Sequence, residues 1–206
     1  MQNTVESVGF ADAVSASQST FRNVMEALSR PGRHVMLKNA PAYPEGLPVG
    51  MAAVVLTLAD YETPVWLDAK LADNAEAREF IAFHTNAPIT KDANSASFAF
   101  IRDPSMLPGF EQFAQGTLEF PDRSTTLVIE VESLSGGPAI HLAGPGIQVT
   151  QEIAPKTLPS DFKSRLKSNR ELFPCGVDVI LSAGNMIMGL PRSVRVVEGG
   201  GLTQCM

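Results

Sequence analysis

Five side chains stand out as groups that could do chemistry: Arg22, Arg30, His84, Asn86 and Arg192. Arg22 and Arg30 are eight residues apart, a little over two helical turns. Arg192 follows Leu190-Pro191, and Arg195 shares its strand face. A guanidinium fork suits phosphate or carboxylate, although a solvated face or an ion pair accounts for such arginines equally well. His84-Thr85-Asn86 gathers three polar side chains at what reads as a helix end, where an imidazolium meets free carbonyls favourably. We take the five as a candidate polar site or partner surface.

Other chemistry is poorly served. The three histidines, His34, His84 and His141, lie far apart, and none has metal-ligand spacing with another His or Cys. Cys175 and Cys205 are too few for a disulfide framework or a zinc site. Walker A, G-x-S-x-G and H-E-x-x-H sequences are absent. Gly144-Pro145-Gly146 begins like a dinucleotide fingerprint, but Val149 stands where the third Gly belongs, and Pro145 removes a backbone donor. Asp60 and Glu62 fall in a turn. Lys163, Arg165, Lys167 and Arg170 read as a solvated helix face. A Schiff-base enzyme needs a lysine delivered to a pocket. Lys38, Lys70, Lys91, Lys156, Lys163 and Lys167 all fall in loops or on polar helix faces. No catalytic residue, cofactor ligand or metal ligand is assigned.

The elements that must position these groups come next. A helix is predicted over Asp12 to Ser29, with Val14, Phe21, Met25 and Leu28 on its apolar face and Pro31-Gly32 ending it. Met51, Val54, Val55 and Leu58 mark a short buried helix, and Thr63 to Leu67 a strand. Asp73 to Glu76 has capping-box spacing for a helix reaching His84. Ser97 to Ile101 reads as a strand and Met106 to Ala114 as a brief helix. Leu127, Ile129 and Val131 alternate as in a half-buried strand, and Ser135-Gly136-Gly137-Pro138 turns it into Ala139 to Leu142 as a hairpin. Ser160 caps a helix carrying Phe162, Leu166, Asn169 and Phe173. Val177 to Leu181 is a central strand, Met186 to Leu190 its hairpin partner and Ser193 to Val197 a last strand. This order predicts an α/β or α+β fold, a mixed sheet flanked by helices, and argues against a regular parallel βαβ fold.

The chain has 206 residues, enough for one domain. Hydrophobic residues make up 44% and charged residues 18%, which excludes a wholly disordered chain. The net charge of −6 lacks the footprint of a nucleic-acid binder or a polybasic membrane-surface protein. No apolar run is long enough to span a bilayer. The polar stretch Met1 to Gly9 lacks the form of a signal peptide. A reduced cytoplasmic protein is expected.

Several motifs together resemble one family. They are Phe21-Arg22 with Met25 to Gly32; Leu56 to Asp60 with Thr63 to Leu67; Phe83 to Pro88; Ser133 to Gly137; Gly144 to Ile147; Pro174 with Gly176 to Asp178; and Leu190 to Ser193. They run in order from about residue 21 to 196 of a single domain, 1–206, and are similar to PhnH, the H subunit of the bacterial carbon–phosphorus lyase system. Ser193 stands where relatives often carry Thr, keeping the hydroxyl. The resemblance implies an α/β fold like the large domain of pyridoxal-phosphate-dependent transferases, without the cofactor site. It implies a homodimer that joins the G, I and J subunits in a core complex. With G and I, helped by L, the H subunit would support ATP-dependent formation of alkylphosphonate ribose 5-triphosphate with release of adenine. The J subunit, with S-adenosylmethionine and an iron–sulfur cluster, would then cleave the carbon–phosphorus bond. Two cysteines do not make this chain the cluster subunit. The alternatives are a stand-alone pyridoxal-phosphate enzyme and a phosphonate- or nucleotide-binding protein.

Overall fold

A computed structural model describes residues 9–198. Cys205 and most of the polar N-terminal stretch lie outside the described residues. The chain begins with α1 (Ala13–Ser29), capped by Asp12, whose carboxylate accepts from the Ser15 amide. Then come β1 (Val35–Met36), α2 (Val49–Leu58), β2 (Val65–Leu67), α3 (Ala69–Ala72), α4 (Ala75–Thr85), β3 (Ile89–Thr90) and β4 (Phe98–Ile101). Two 3-10 turns, Pro104–Met106 and Phe110–Gln112, replace the brief helix expected there. The second half holds β5 (Thr126–Glu130), β6 (Ile140–Ala143), β7 (Gln151–Ile153), α5 (Phe162–Glu171), β8 (Asp178–Ala183), β9 (Met186–Leu190) and β10 (Arg195–Val197).

The architecture is α/β with a mixed sheet. Seven strands run in the order β1-β9-β8-β5-β4-β2-β3. The five from β8 to β3 are mutually parallel; β9 runs antiparallel to β8, and β1, antiparallel to β9, points the same way as the five. A parallel block of five was not expected. Its crossovers are irregular: β4 reaches β5 through 3-10 turns and loops, so no regular alternation of helix and strand marks it. A separate antiparallel sheet, β10-β6-β7, packs on one face. The expected hairpin of β5 with β6 does not form. β5 pairs with β4 and β8, and β6 lies in the second sheet.

Both faces of the large sheet are covered. Val65, Leu67, Phe100, Val128 and Ile180 pack under α1, α2 and α4. Ala99, Ile101, Leu127, Ile129, Val179 and Leu181 pack against Phe110, Phe113, Phe162 and the second sheet. Leu127, Val128 and Ile129 are therefore all buried, and β5 is a central strand and not a half-buried one. Parallel strands covered on both sides read as continuous apolar runs, so alternation is a poor guide to their exposure. The helix α2 is buried from Gly50 to Val55 with no polar face, which suits a helix wedged among its neighbours.

The helix α1 turns a different face inward from the one its bulky residues mark. Ala16, Thr20, Val24 and Ala27 are buried, whereas Val14, Phe21 and Met25 are 71%, 49% and 50% exposed. Close packing selects the small-residue face. A Cβ on Gly189 of β9 would stand 2.6 Å from the Ala27 carbonyl carbon and oxygen. Two boundary readings also shift. Asn74, not Asp73, caps α4 by accepting from the Ala77 amide. Asp161, not Ser160, stands at the N-cap of α5, and Phe173 lies beyond that helix, half-exposed beneath the Arg170 guanidinium. Gly189→Ala is expected to lift α1 from β9 and cost about 1–3 kcal/mol, as overpacking does. Urea unfolding of the two proteins measures this.

Candidate functional site

In an open sheet with a parallel core, strand order reverses at one place, and ligands favour the carboxyl edge there. Here β3 lies on one side of β2 and β4, next in sequence, on the other, so the reversal is between β2 and β4. Polar groups concentrate at that edge. Asp68 follows β2 and is 1% exposed. Its Oδ1 accepts from the Leu71 amide at 3.0 Å, capping α3, and its Oδ2 accepts from the Asp103 amide at 2.8 Å. One carboxylate thus ties the end of β2 to the loop after β4. Asp103 in turn accepts from the Ser105 amide and hydroxyl at 3.0 and 2.6 Å, and pairs with Lys70 at 2.6 Å. Lys70 first, and then Ser105, hold the Asp103 carboxyl down at about 2.

Beside this knot lies a cleft of about 530 Å³, lined by Arg102, Asp103, Ser105, Glu130, Glu132 and Thr157, with Gly184 at its wall. Glu130 ends β5 and faces Ser182 in register on β8. Burial pushes its carboxyl up to about 7, against opposing pulls from Ser182, the Gly184 amide and Arg102. The relief is incomplete: Glu130 Oε2 and Ser182 Oγ are both buried without a completed hydrogen bond. Among the described residues Arg102 makes no hydrogen bond or ion pair, and Glu130 feels its charge from a distance. A carboxyl that titrates near neutrality can donate or accept a proton, and a free guanidinium beside it can hold an anion. A larger cavity of about 710 Å³ opens beside edge strand β3, but Ala72, Ala75, Ala82 and Ile89 form much of its wall, with Arg78, Glu79 and Lys91 its charged lining residues.

The five residues singled out in the sequence are not gathered in this cleft. Arg192 lies at the opposite, amino edge of the parallel strands. Its Nη2 and Nε reach Asp178 at 2.5 and 3.2 Å, its Nη2 also reaches Ser124 Oγ at 2.5 Å, and its Nη1 donates to the Pro121 carbonyl at 2.5 Å. Its donors are committed to joining β8, β9 and the loop before β5. Arg22 is exposed in a shallow groove with Ser17, Gln18, Phe21 and Thr57. Arg30 is exposed at the C-cap of α1, where its amide donates to the Glu26 carbonyl. His84 is in the last turn of α4, its ring 4.7 Å from Phe80 and 5.0 Å from Phe83. Asn86 takes the left-handed conformation, φ 54°, that ends the helix, a conformation asparagine tolerates better than most residues. Thr85 turns inward to the Ile81 carbonyl, so the expected polar trio is split.

Sequence reasoning passed over Arg102, Asp103 and Glu130. Glu130 reads as the outward residue of an alternating strand, and the clue was a lone acid inside an otherwise apolar run. Among the described residues no cluster of His, Cys, Asp and Glu could hold a metal ion, and no helix is long and apolar enough to cross a membrane.

The model of the bacterial phosphonate metabolism protein PhnH matches residues 8–197. The chain belongs to the PhnH family. A PhnH relative from Rhizobium meliloti (strain 1021), named alpha-D-ribose 1-methylphosphonate 5-triphosphate synthase subunit PhnH, is 45% identical over 195 residues, 95% of this chain and 97% of its own. HtxG of Stutzerimonas stutzeri, named for a C–P lyase subunit role, is 30% identical over 180 residues, 87% and 85% of the two chains. The PhnH match covers both rims of the sheet, including Arg102, Glu130, Asp178 and Arg192.

Two outcomes test this geometry. Arg192→Ala leaves Asp178 half-buried without its counter-ion, holding only the backbone amide of residue 192, with an expected loss of about 2–4 kcal/mol in urea unfolding. Arg192→Lys recovers little of it, because an ammonium cannot span the same acceptors. Glu130 binds a proton more tightly when folded than when unfolded, so stability falls as pH rises from about 4.5 to about 7. The fall is up to about 3 kcal/mol at 1.36 kcal/mol per pH unit, and Glu130→Gln should flatten it in denaturation midpoints followed against pH.

Proposed function

We propose that this chain is the H subunit of an alkylphosphonate ribosyl-triphosphate synthase within a carbon–phosphorus lyase complex. With the G, I and L subunits it supports formation of alkylphosphonate ribose 5-triphosphate from ATP, with release of adenine, in the breakdown of organic phosphonates. The observation that carries this reading is likeness along the whole chain to a relative named as such a subunit, 45% identical over 97% of that relative.

In this reading the chain is accessory and not itself the catalyst. It forms a cytoplasmic homodimer, joins the G, I and J subunits, and carries no cofactor of its own on a fold akin to the large domain of pyridoxal-phosphate-dependent transferases. The exposed Val14, Phe21 and Met25 on α1, with Arg22 among them, suit a surface made to be covered by other protein.

Co-expression of a tagged copy with its G and I counterparts, followed by mass determination, tests the reading. A stoichiometric complex is expected, and adding L, ATP and an alkylphosphonate should release adenine only when this chain is present. A clean homodimer with no partner, and adenine release by the others without it, would overturn the proposal. A yellow protein absorbing near about 410–420 nm and bleached by borohydride would point instead to a pyridoxal-phosphate enzyme.

A further inference from the structure

We propose that the cleft at the carboxyl ends of β4 and β5 binds a tetrahedral oxyanion, a phosphoryl or phosphonyl group, with Arg102 and Glu130 as its ligands. The inference deepens the reading above and rests on it for the biological source of the group, the phosphonate substrate or an ATP-derived triphosphate.

Of the three cations around the cleft, Arg102 alone is in no ion pair among the described residues. Asp103 is paired with Lys70 at 2.6 Å, and Glu132 with Lys156 at 3.4 Å. Arg102 has no such partner, and a guanidinium fork matches a tetrahedral oxyanion through two parallel hydrogen bonds. The elements packed around Glu130 bring no further charge against it. The first turn of α2 offers Val49, Gly50 and Met51, and the β8–β9 turn offers Gly184 and Asn185. Gly50 has no Cβ, and only that lets the Ser182 hydroxyl and the Gly184 carbonyl close in on α2. The groups that titrate or carry charge nearby are Arg102, Asp68, Asp103, Lys70, Glu132 and Lys156.

The second observation is incomplete hydrogen bonding. Ser182 is fully buried and its Oγ lies against the Glu130 carboxyl, but the contact stops short of a full hydrogen bond and leaves Glu130 Oε2, on a residue that lines the cleft, unsatisfied. Buried polar atoms are nearly always satisfied, so those left unmet at the end of a central strand call for an explanation. A neutral Glu130 carboxyl supplies an O–H donor toward an anion in the cleft, and an ionised one repels it. The cavity of about 530 Å³ lies within the range of small-ligand sites and beside the strand-order reversal.

Sulfate is a suitable first probe, because it stays doubly charged across neutral pH and any pH dependence then belongs to the protein. Titration of the isotopically labelled full chain, followed by backbone amide shifts, should move Ser105, Gly184 and their neighbours saturably. Affinity should be about tenfold higher near pH 6 than near pH 8. Arg102→Ala should lose binding by about tenfold or more at both. Glu130→Gln should bind with no pH dependence, because its amide donates at either pH. No saturable shift at these residues, or an Arg102→Ala protein that binds as well as the parent, would overturn the inference. Methylphosphonate and tripolyphosphate then compete with sulfate. Tighter binding of the first marks the phosphonate as occupant and of the second the triphosphate, and failure of both to displace sulfate also counts against the proposal. Co-purification with the G and I subunits separates the two readings. A chain that assembles but binds no anion sinks only this inference, and one that binds anion but never assembles sinks the complex.

Discussion

Burial of the parallel strands on both faces is the constraint from which the rest follows. Leu127, Val128 and Ile129 of β5, and Val179, Ile180 and Leu181 of β8, have no exposed face. Neither strand can carry a polar side chain at these positions without a costly unpaired group. Charge and hydrogen-bonding chemistry are therefore displaced to the strand ends, and the molecule has two polar rims with an apolar slab between them.

The two rims are treated differently. At the amino rim, Arg192 spends its donors on Asp178, Ser124 and backbone carbonyls, closing the gap where β8, β9 and the loop before β5 meet. At the carboxyl rim, Asp68 and Asp103 tie the loops after β2 and β4 to one another, but Arg102, Glu130 and Ser182 are left with capacity to spare. At the amino rim the arginine is wholly engaged in the fold, although the buried Gln115 Oε1 there has no hydrogen bond. A rim with a free guanidinium and a carboxyl poised near neutrality can still respond to something that arrives.

The helical side shows how packing distance decides what the surface offers. A Cβ at Gly189 would clash with the α1 backbone, so α1 lies close to β9 through its small residues. The larger Val14, Phe21 and Met25 are left facing out. The same helix thus contributes a tight internal contact and an apolar external stripe, which fits a chain that works beside other subunits.

The sequence by itself determined most of the elements, because α1, α2, α4, β4, β8 and β9 carry local signals: helical periodicity, caps, turn residues and unbroken apolar runs. The motif order was enough to suggest the family. Pairing and facing were decided only by the tertiary structure. Nothing local says that β5 joins β4 and β8 and not β6, because strand partners are chosen by the burial of two faces at once. Nothing local says which stripe of α1 turns inward, because that depends on the close approach of Gly189 from a distant strand. Arg192 and Glu130 make the same point from opposite ends. Sequence leaves Arg192 open between an anion fork and an ion pair, and folding decides for the ion pair with Asp178. Glu130 reads as a solvated carboxylate, and folding takes away its water and leaves one oxygen without a partner.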